Sequence, residues 1–359
     1  RRRRRLLRVA MQYYAFAVPG LEEIAGQELA ELGADMGERR RGVVFFSWDG
    51  DPRGLLALTT VEDVYALVAR DTVKRSREGL EEVEALVADA ELFELAVGAH
   101  RRARPKRIKR ISYRVVAQRH GGRQRYMRKE ARKALERAIG RRFPRWRKVE
   151  EEALIEVWGL EADGQLLVGV RLSDRTMRHR TYKEAQLEAS LRPTVARAMV
   201  RLCEPGVDDV FLDPMCGAGT ILIERGEYGR YGRLLGGDIR PEAVAAARTN
   251  IGPRYKPIEV REWDATNLPL AAGAVDRVVC NLPFGKKIGE PWELQTLYGR
   301  SAGEMARVLK PGGVAVLLTS ERDALERALA AAELLYIERL LPVEVLGQEA
   351  FVFKLKKVI

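Results

Sequence analysis

The run Asn281-Leu282-Pro283-Phe284-Gly285 closes an apolar stretch, 276–281, that reads as a strand. An amino group on an aromatic base is a poor nucleophile because its lone pair is delocalised into the ring. The side-chain carbonyl of Asn281 and the main-chain carbonyl of Leu282 or Pro283 together accept both amine hydrogens, favouring the geometry from which the nitrogen attacks. Pro283 constrains the turn, and Phe284 offers a flat face to a base taken out of its helix. A plain Asn-x-Pro turn would account for the same residues without chemistry, so the neighbouring strand ends decide between the two.

Those ends carry acceptors as well. Asp213-Pro214-Met215-Cys216-Gly217-Ala218-Gly219-Thr220 follows the apolar stretch 210–213, and its glycines let a turn pass close to a ligand. The loop lacks the Lys-Ser/Thr ending of a phosphate loop and the Gly-x-Gly-x-x-Gly spacing, which disfavours a nucleoside triphosphate or a dinucleotide. Asp238, after Gly236-Gly237, is placed to accept from both hydroxyls of a ribose, Asp264 from an adenine amino group, and Asp213 from an ammonium. Ammonium, ribose and adenine together describe S-adenosylmethionine. A single strand-end Asp is weak support, since Asp also caps helices and forms turns; three in successive units beside a glycine turn weigh more.

These residues need a scaffold of short apolar strands alternating with helices. Strands are predicted at 210–213, 233–238, 258–263, 276–281, 313–319, 336–343 and 350–356, after a helix at 191–202, as in a parallel α/β sheet. Upstream, strands at 13–18, 43–46 and 64–73 with helices at 21–32 and 52–59 suggest a small α+β unit. A second unit has helices at 80–97 and 127–139, a strand at 111–117, and a hairpin of 153–157 with 165–172 around Asp163-Gly164. The polar segment 173–190 reads as a connector.

The length of 359 residues allows two or three domains. The net charge is +12, but from Arg101 to Lys148 there are 21 basic and two acidic residues, a local +19 that leaves the rest of the chain at −7. So concentrated a positive surface suits a polyanion, nucleic acid above all, because each cation near a phosphate releases a counterion. Candidate contacts are Arg101, Arg102, Lys106, Arg107, Lys109 and Arg110, then Arg125, Arg128, Lys129 and Arg132, with Lys286 and Lys287 just after the Asn281 motif. Tyr126 and Trp146, interleaved with Arg, either stack on unpaired bases or belong to the core. Arg180, Tyr182 and Arg192 either contact RNA, order the cofactor loop or form a structural ion pair.

Cys203, Cys216 and Cys280 form no Cys-x-x-Cys pair, and His100, His120 and His179 have no metal-ligand spacing, so neither disulfides nor a metal is expected and a reducing, cytoplasmic setting fits. A covalent cysteine mechanism at Cys280 or Cys216 would need an activated thiolate; burial is the simpler expectation for Cys280, and a small residue tolerated in the turn for Cys216. No apolar run reaches the roughly 20 residues of a membrane span. His100 and His120 are expected to meet solvent or phosphate.

The loop Asp213 to Thr220, Asp238, Asp264, Asn281 to Gly285 and Leu309-Lys310-Pro311-Gly312-Gly313 together resemble the class I methyltransferases that modify amino groups. Pro19-Gly20-Leu21-Glu22, Glu28-Leu29 and Leu32-Gly33 resemble the N-terminal ferredoxin-like domain of THUMP-containing RNA methyltransferases. His179-Arg180-Thr181-Tyr182-Lys183 and Leu191-Arg192-Pro193 resemble the segment that joins their RNA-binding and catalytic domains. Within that family the chain is most similar to the TrmN type, although Lys286-Lys287-Ile288-Gly289 is one residue longer than the basic residue and Ile-Gly expected there.

The resemblance implies an α/β fold with a Rossmann-like, parallel-rich seven-stranded sheet, preceded by α+β ferredoxin-like and THUMP domains. The implied boundaries are a disordered Arg-rich tail at 1–10, a ferredoxin-like domain at 11–75, a THUMP domain at 76–172, a linker at 173–190 and a methyltransferase domain at 191–359. It further implies catalysis by Asn281, Pro283 and Phe284, and cofactor contacts from Asp213, Pro214, Cys216, Gly217, Gly219, Thr220, Asp238, Ile239, Asp264, Ala265 and Asn281. The implied reaction is methylation of guanosine N2 at position 6 of the tRNA acceptor stem, with the tRNA 3′ end held by the basic domain, in a protein for which a monomer is favoured. Position 10 of tRNA, ribosomal RNA or a non-catalytic tRNA-binding module remain alternatives.

Overall fold

Alternating apolar residues, broken by Gly, Pro and short polar turns, divide the chain into two sheets. The computed structural model describes residues 11–88, 90–106, 110–120, 125–162, 165–185, 187, 190–254, 256–285, 291–332 and 335–358. By mutual contact, Arg1–Phe16 and Gly26–Met177 form one unit, and Ala17–Ala25 with Arg178–Ile359 the other.

The first unit contains β1 (Gln12–Ala17), β2 (Asp35–Arg40), β3 (Val43–Ser47), β4 (Val61–Thr72), β5 (Ser112–His120), β6 (Arg147–Lys148), β7 (Ile155–Ala162) and β8 (Gln165–Arg171). They form one sheet in the order β2-β3-β1-β4-β8-β7-β5-β6. Residues on either side of position 75 therefore share a ladder, with β4 antiparallel to β8 from Tyr65 opposite Arg171 to Thr72 opposite Gln165. Tyr14 and Tyr65, both buried, stack at its centre with ring centroids 4.8 Å apart.

Four helices accompany this sheet, namely α1 (Glu22–Glu31, whose first turn groups with the second unit), α2 (Gly79–Ala88), α3 (Leu92–Ala103) and α4 (Arg128–Arg142). The single helix predicted over 80–97 is two, because each part has its own neighbour: α2 packs on α4, while α3 packs on β4. Pro52–Ala57 is a 3₁₀ turn capped by Asp51, whose carboxylate accepts from the Arg53 amide. β2 was not predicted, because all but its last residue are exposed and it is held by backbone pairing to β3 rather than by an apolar face.

The second unit follows the short helix α5 (Arg175–His179), which falls inside the expected connector and is started by Asp174 accepting from the Thr176 amide. In order it contains α6 (Pro193–Leu202), β9 (Val210–Asp213), α7 (Thr220–Tyr228), β10 (Arg233–Asp238), α8 (Pro241–Ile251), β11 (Ile258–Glu262), β12 (Val275–Asn281), α9 (Pro291–Val308), β13 (Leu309–Thr319), α10 (Arg322–Ala332), β14 (Leu335–Val345) and β15 (Gln348–Lys357). The seven strands run β11-β10-β9-β12-β13-β15-β14, with β15 antiparallel to both neighbours and the first five parallel.

Successive residues of the central strands face opposite cores: Phe211 and Val279 join the cluster of α6, α7 and α8, whereas Leu212 and Val278 join that of α9 and α10. Strand order reverses between β9 and β12. At such a switch point the flanking loops diverge and leave a crevice at the carboxyl ends of the strands.

Candidate functional site

Asp213 and Asn281 end the two strands that flank the switch point. Asp213 is 1% exposed, and its Oδ1 accepts from the Met215 amide at 3.3 Å. Its Oδ2 and the Oδ1 of Asn281 are buried and, among the described residues, have no hydrogen-bond partner. A buried acceptor left unpaired costs about 1–3 kcal/mol, so two of them on adjacent strands call for a ligand that brings donors.

The loop between β9 and α7 turns with φ of 50° at Gly217 and 80° at Gly219, a region that L side chains seldom enter. Among the described residues nothing lies within 4 Å of where a Cβ of Gly217 would stand, so they leave the loop surface open there. The Gly217 amide donates to Asp238 Oδ2 at 3.0 Å, while Oδ1 of the same carboxylate accepts from the Arg240 amide at 3.1 Å. Asp238 thus holds the loop from the end of β10. Ile239 beside it is 65% exposed, an apolar surface of the kind a flat heterocycle covers.

Asp264 is exposed and accepts from the Thr266 amide at 2.8 Å, forming the turn that its alternative reading described; Ala265 is buried. Pro214 and Thr220 are buried in the loop. Asp213 and Asp238 end β9 and β10 and Asp264 follows β11, so three carboxylates stand at the same ends of three neighbouring strands, beside Gly217 and the exposed Ile239.

Three residues that support this arrangement were not singled out in the sequence. Trp263 donates from Nε1 to the Pro214 carbonyl at 3.0 Å, and its ring lies where a side chain at Gly237 would stand. Tyr298 donates to the Pro283 carbonyl at 2.7 Å and exchanges a second bond with Thr319 Oγ1 at 2.7 Å. Since Tyr298 engages the Pro283 carbonyl, the Leu282 carbonyl is the more available main-chain partner for an amine. The third is Asn250, whose amide bonds to the Ala218 carbonyl at 3.0 Å. Each acts across a distance in sequence that no local motif spans; the Gly237-Trp263 pairing of a bare backbone with a large ring was the only available sign.

Phe284 is half-buried against the cluster of α6, α7 and α8. Cys216 and Cys280 are buried, and burial followed by the nearby Asp213 carboxylate pushes both thiols well above their ordinary range. Neither is poised as a thiolate nucleophile. Arg180 and Tyr182 both bond to Glu224 Oε1, at 3.3 and 2.7 Å, so the structural option among those left open for them is realised. Among the described residues, no group of three or more His, Cys, Asp or Glu is arranged to hold a metal ion, and no helix is long and apolar enough to cross a membrane.

The basic segment lies in the first unit. Arg101 and Arg102 are exposed in the last turn of α3 and line, with His100, Arg104, Pro105, Lys106 and Leu154, a cavity of about 400 Å³. Arg128 and Lys129 are exposed in the first turn of α4, where the helix dipole disfavours cations. With Arg132, Arg114 and Glu150 they border a second cavity of about 670 Å³. Arg110 and Arg125 are exposed, Arg110 donating to the Arg145 carbonyl. Arg107, Lys109, Lys286 and Lys287 lie outside the described residues, as do residues 1–10 and the turn at Asp163-Gly164.

The local +19 overstates the free charge, because acids from outside the segment neutralise part of it. Glu84 pairs with Arg137 and Arg141, Glu94 with Arg142, Glu161 with Arg119, Glu156 with Arg114 and Asp174 with Arg104. Arg132 is shared between Glu136 and Glu150. Tyr126 is core, its hydroxyl donating to Glu161 at 2.5 Å, and Trp146 stacks on Phe143 with centroids 4.1 Å apart. His100 was expected at solvent or phosphate; it is 5% exposed, with Nδ1 bonded to the Arg171 carbonyl, and burial pushes its pKa below the ordinary value.

Residues 180–339 match the family described as UPF0020, an RMKL-like methyltransferase domain. The tRNA (guanine(6)-N(2))-methyltransferase THUMP3 of Bos taurus is 33% identical over 234 residues, 61% of this chain and 46% of that protein. The tRNA (guanine(6)-N2)-methyltransferase of Archaeoglobus fulgidus is 26% identical over 361 residues, covering 91% of this chain and 87% of the relative. The crystal structure of TrmN from Thermus thermophilus superposes with a TM-score of 0.80 at 26% identity, over 97% of this chain and all of that one. This chain spans about half the length of the mammalian relatives it matches.

Proposed function

We propose, from the match of residues 180–339 to the UPF0020 family of RMKL-like methyltransferase domains and from the class I methyltransferase fold, that the protein transfers a methyl group from S-adenosylmethionine to the exocyclic N2 of guanosine in tRNA. Position 6 of the acceptor stem is the favoured target, as the names of the relatives suggest. The observation that carries this reading is the pair of unpartnered buried acceptors, Asp213 Oδ2 and Asn281 Oδ1, at the ends of adjacent strands.

S-adenosylmethionine, when bound, supplies a methyl carbon already activated by a sulfonium. The chain's own residues then bind and orient. Asp213 takes the ammonium, Asp238 the ribose hydroxyls, Asp264 the adenine amine, and Ile239 and Ala265 flank the ring. Pro214, Cys216, Gly217, Gly219 and Thr220 shape the loop around them.

Asn281 Oδ1 and the Leu282 carbonyl accept the two N2 hydrogens of guanine, which turns the nitrogen lone pair away from ring conjugation and toward the methyl carbon. The donor would supply the methyl carbon and keep the electron pair of the broken carbon–sulfur bond on sulfur, while the proton lost by N2 would pass to water. Phe284 stacks on the base, and Pro283 keeps the two carbonyls at a fixed spacing. A guanine in a stem is hidden by pairing, so the nucleotide must be flipped or the stem opened.

Tyr298→Phe removes the donor to the Pro283 carbonyl while preserving the ring. The loss of one such hydrogen bond, about 1 kcal/mol, is expected to lower kcat roughly fivefold with cofactor affinity unchanged. Steady-state kinetics beside calorimetric cofactor binding checks this; an equal effect on both would place Tyr298 in the cofactor site instead.

The first unit anchors the polynucleotide through Arg101, Arg102 and Lys106 at one cavity and Arg128, Lys129 and Arg132 at the other, with Arg110, Arg125, Arg107, Lys109, Lys286 and Lys287 assigned to the same task. The tRNA 3′ end is the element proposed to lie there. Replacing both Arg128 and Lys129 by Ala is expected to weaken tRNA binding and to flatten the slope of log affinity against log salt by about 1.5. A salt titration with the slope unchanged would remove α4 from the interface. Incubation with methyl-labelled cofactor and total tRNA, followed by nucleoside analysis, tests the function as a whole.

A further inference from the structure

Asn250, on α8, is 1% exposed, and its amide is fully engaged. Oδ1 accepts from the Glu184 amide at 3.0 Å and the Ala185 amide at 2.8 Å. Nδ2 donates to the Ala185 carbonyl at 2.9 Å and to the Ala218 carbonyl at 3.0 Å. Ala218 stands between Gly217 and Gly219, so one side chain joins the connector to the middle of the loop assigned to the cofactor.

A second tie runs alongside. Glu224, on the helix that the loop opens into, accepts from Tyr182 and Arg180 on Oε1 and from Arg197 of α6 on Oε2 at 2.7 Å. Lys183 donates to the Leu191 carbonyl at 2.8 Å. Residues 180–185 are therefore fastened to both ends of the loop-helix junction by buried, charge-assisted or amide bonds.

Two glycines at positive φ, one residue apart, leave a loop with much freedom to lose. Its surface toward the crevice is open at Gly217, so the restraint has to come from behind, and Asn250 is the side chain that reaches the Ala218 carbonyl from there. We propose that Asn250 is a positioning residue that couples the connector at 184–185 to the cofactor loop, so that cofactor binding and closure of the connector stabilise each other. This rests on the cofactor assignment of the loop made above. Coupling of this kind is reciprocal: whatever the ordered connector adds to cofactor affinity, the bound cofactor adds to connector order.

The test uses hydrogen exchange at the Glu184 and Ala185 amides of the full chain, with and without S-adenosylhomocysteine as the probe. In the wild-type protein the probe should slow exchange at both amides by a factor in the range of roughly 5 to 150 that such couplings span. Asn250→Ala should abolish the probe's effect and raise the probe Kd about tenfold, corresponding to about 1.4 kcal/mol, at a temperature where circular dichroism still reports the native fold. Asn250→Asp keeps both acceptor bonds and loses both donor bonds, so its two amides should stay protected but respond no longer to the probe.

Exchange in the wild type that ignores a bound probe would overturn the coupling, and this arm decides even if the Ala variant does not fold. An Asn250→Ala protein that binds the probe like wild type would overturn it as well. If the wild-type protein binds no probe at all, the cofactor assignment falls, and the coupling with it.

Discussion

Asn281→Ala is expected to lower kcat by roughly 10²- to 10³-fold, the scale seen when one preorganised polar contact to a transition state is removed, while tRNA affinity stays within about twofold. The reasoning is geometric. Asn281 contributes at the end of β12 a buried Oδ1 acceptor that has no partner among the described residues, so its loss deprives none of them of a hydrogen bond to that atom. It stands at the switch point in the second unit, whereas the basic residues assigned to tRNA lie mainly in the first. Single-turnover rates with pre-bound tRNA, beside filter-binding affinities, separate the two quantities. Equal loss of both would contradict the catalytic role, and full activity would exclude it.

Asp213→Asn should raise the cofactor Kd by roughly 30-fold, about 2 kcal/mol, by removing the carboxylate from a desolvated charge pair. Burial holds the Asp213 carboxyl well above the usual carboxylate range; the Met215 amide opposes this, and the Asp238 charge adds to it. A raised folded-state pKa contributes stability that is complete below the unfolded value and is lost as pH rises through the folded value. The ligand-free Asp213→Asn protein should therefore melt at or above the wild-type temperature at neutral pH, because folding no longer has to protonate that carboxyl or bury its charge. Cofactor binding has the opposite sign: pairing with an ammonium favours the ionised form, so binding expels a proton and wild-type affinity falls as pH is lowered. The variant should lose that dependence. Calorimetry across pH, in two buffers of different ionisation enthalpy, reads both the affinity and the proton. A variant that melts lower and keeps the pH dependence would show that Asp213 serves the fold alone.

Legibility in the sequence follows how local each signal is. The strand ends carrying Asp213, Asp238 and Asn281 were readable because an apolar run followed by a polar residue and a glycine or proline turn is written in consecutive positions, and β9, β10 and β12 end on those residues. Tyr298, Trp263 and Asn250 were not, since what they do depends on which carbonyl the fold brings to them.

The same distinction explains the misplaced elements. The apolar period of 80–97 continues through the end of α2, and only tertiary packing shows that α2 and α3 serve different neighbours. β2 carries charge rather than an apolar stripe; Glu38, exposed beside Arg40 and Arg70, is held near a pKa of about 2 by their hydrogen bonds. Charge counted along 101–148 was equally incomplete, because Glu84, Glu94 and Glu161 arrive from other elements.

The central claim is that the crevice between β9 and β12 delivers a methyl group to an exocyclic guanine amine of tRNA. Its most direct test is incubation of the full chain with methyl-labelled S-adenosylmethionine and a mixture of tRNA, ribosomal RNA and DNA, followed by digestion and nucleoside analysis. The account predicts label in N2-methylguanosine from the tRNA fraction, lost on Asn281→Ala. Label in ribosomal RNA or DNA with none in tRNA, or in a nucleoside methylated elsewhere than N2, would contradict it.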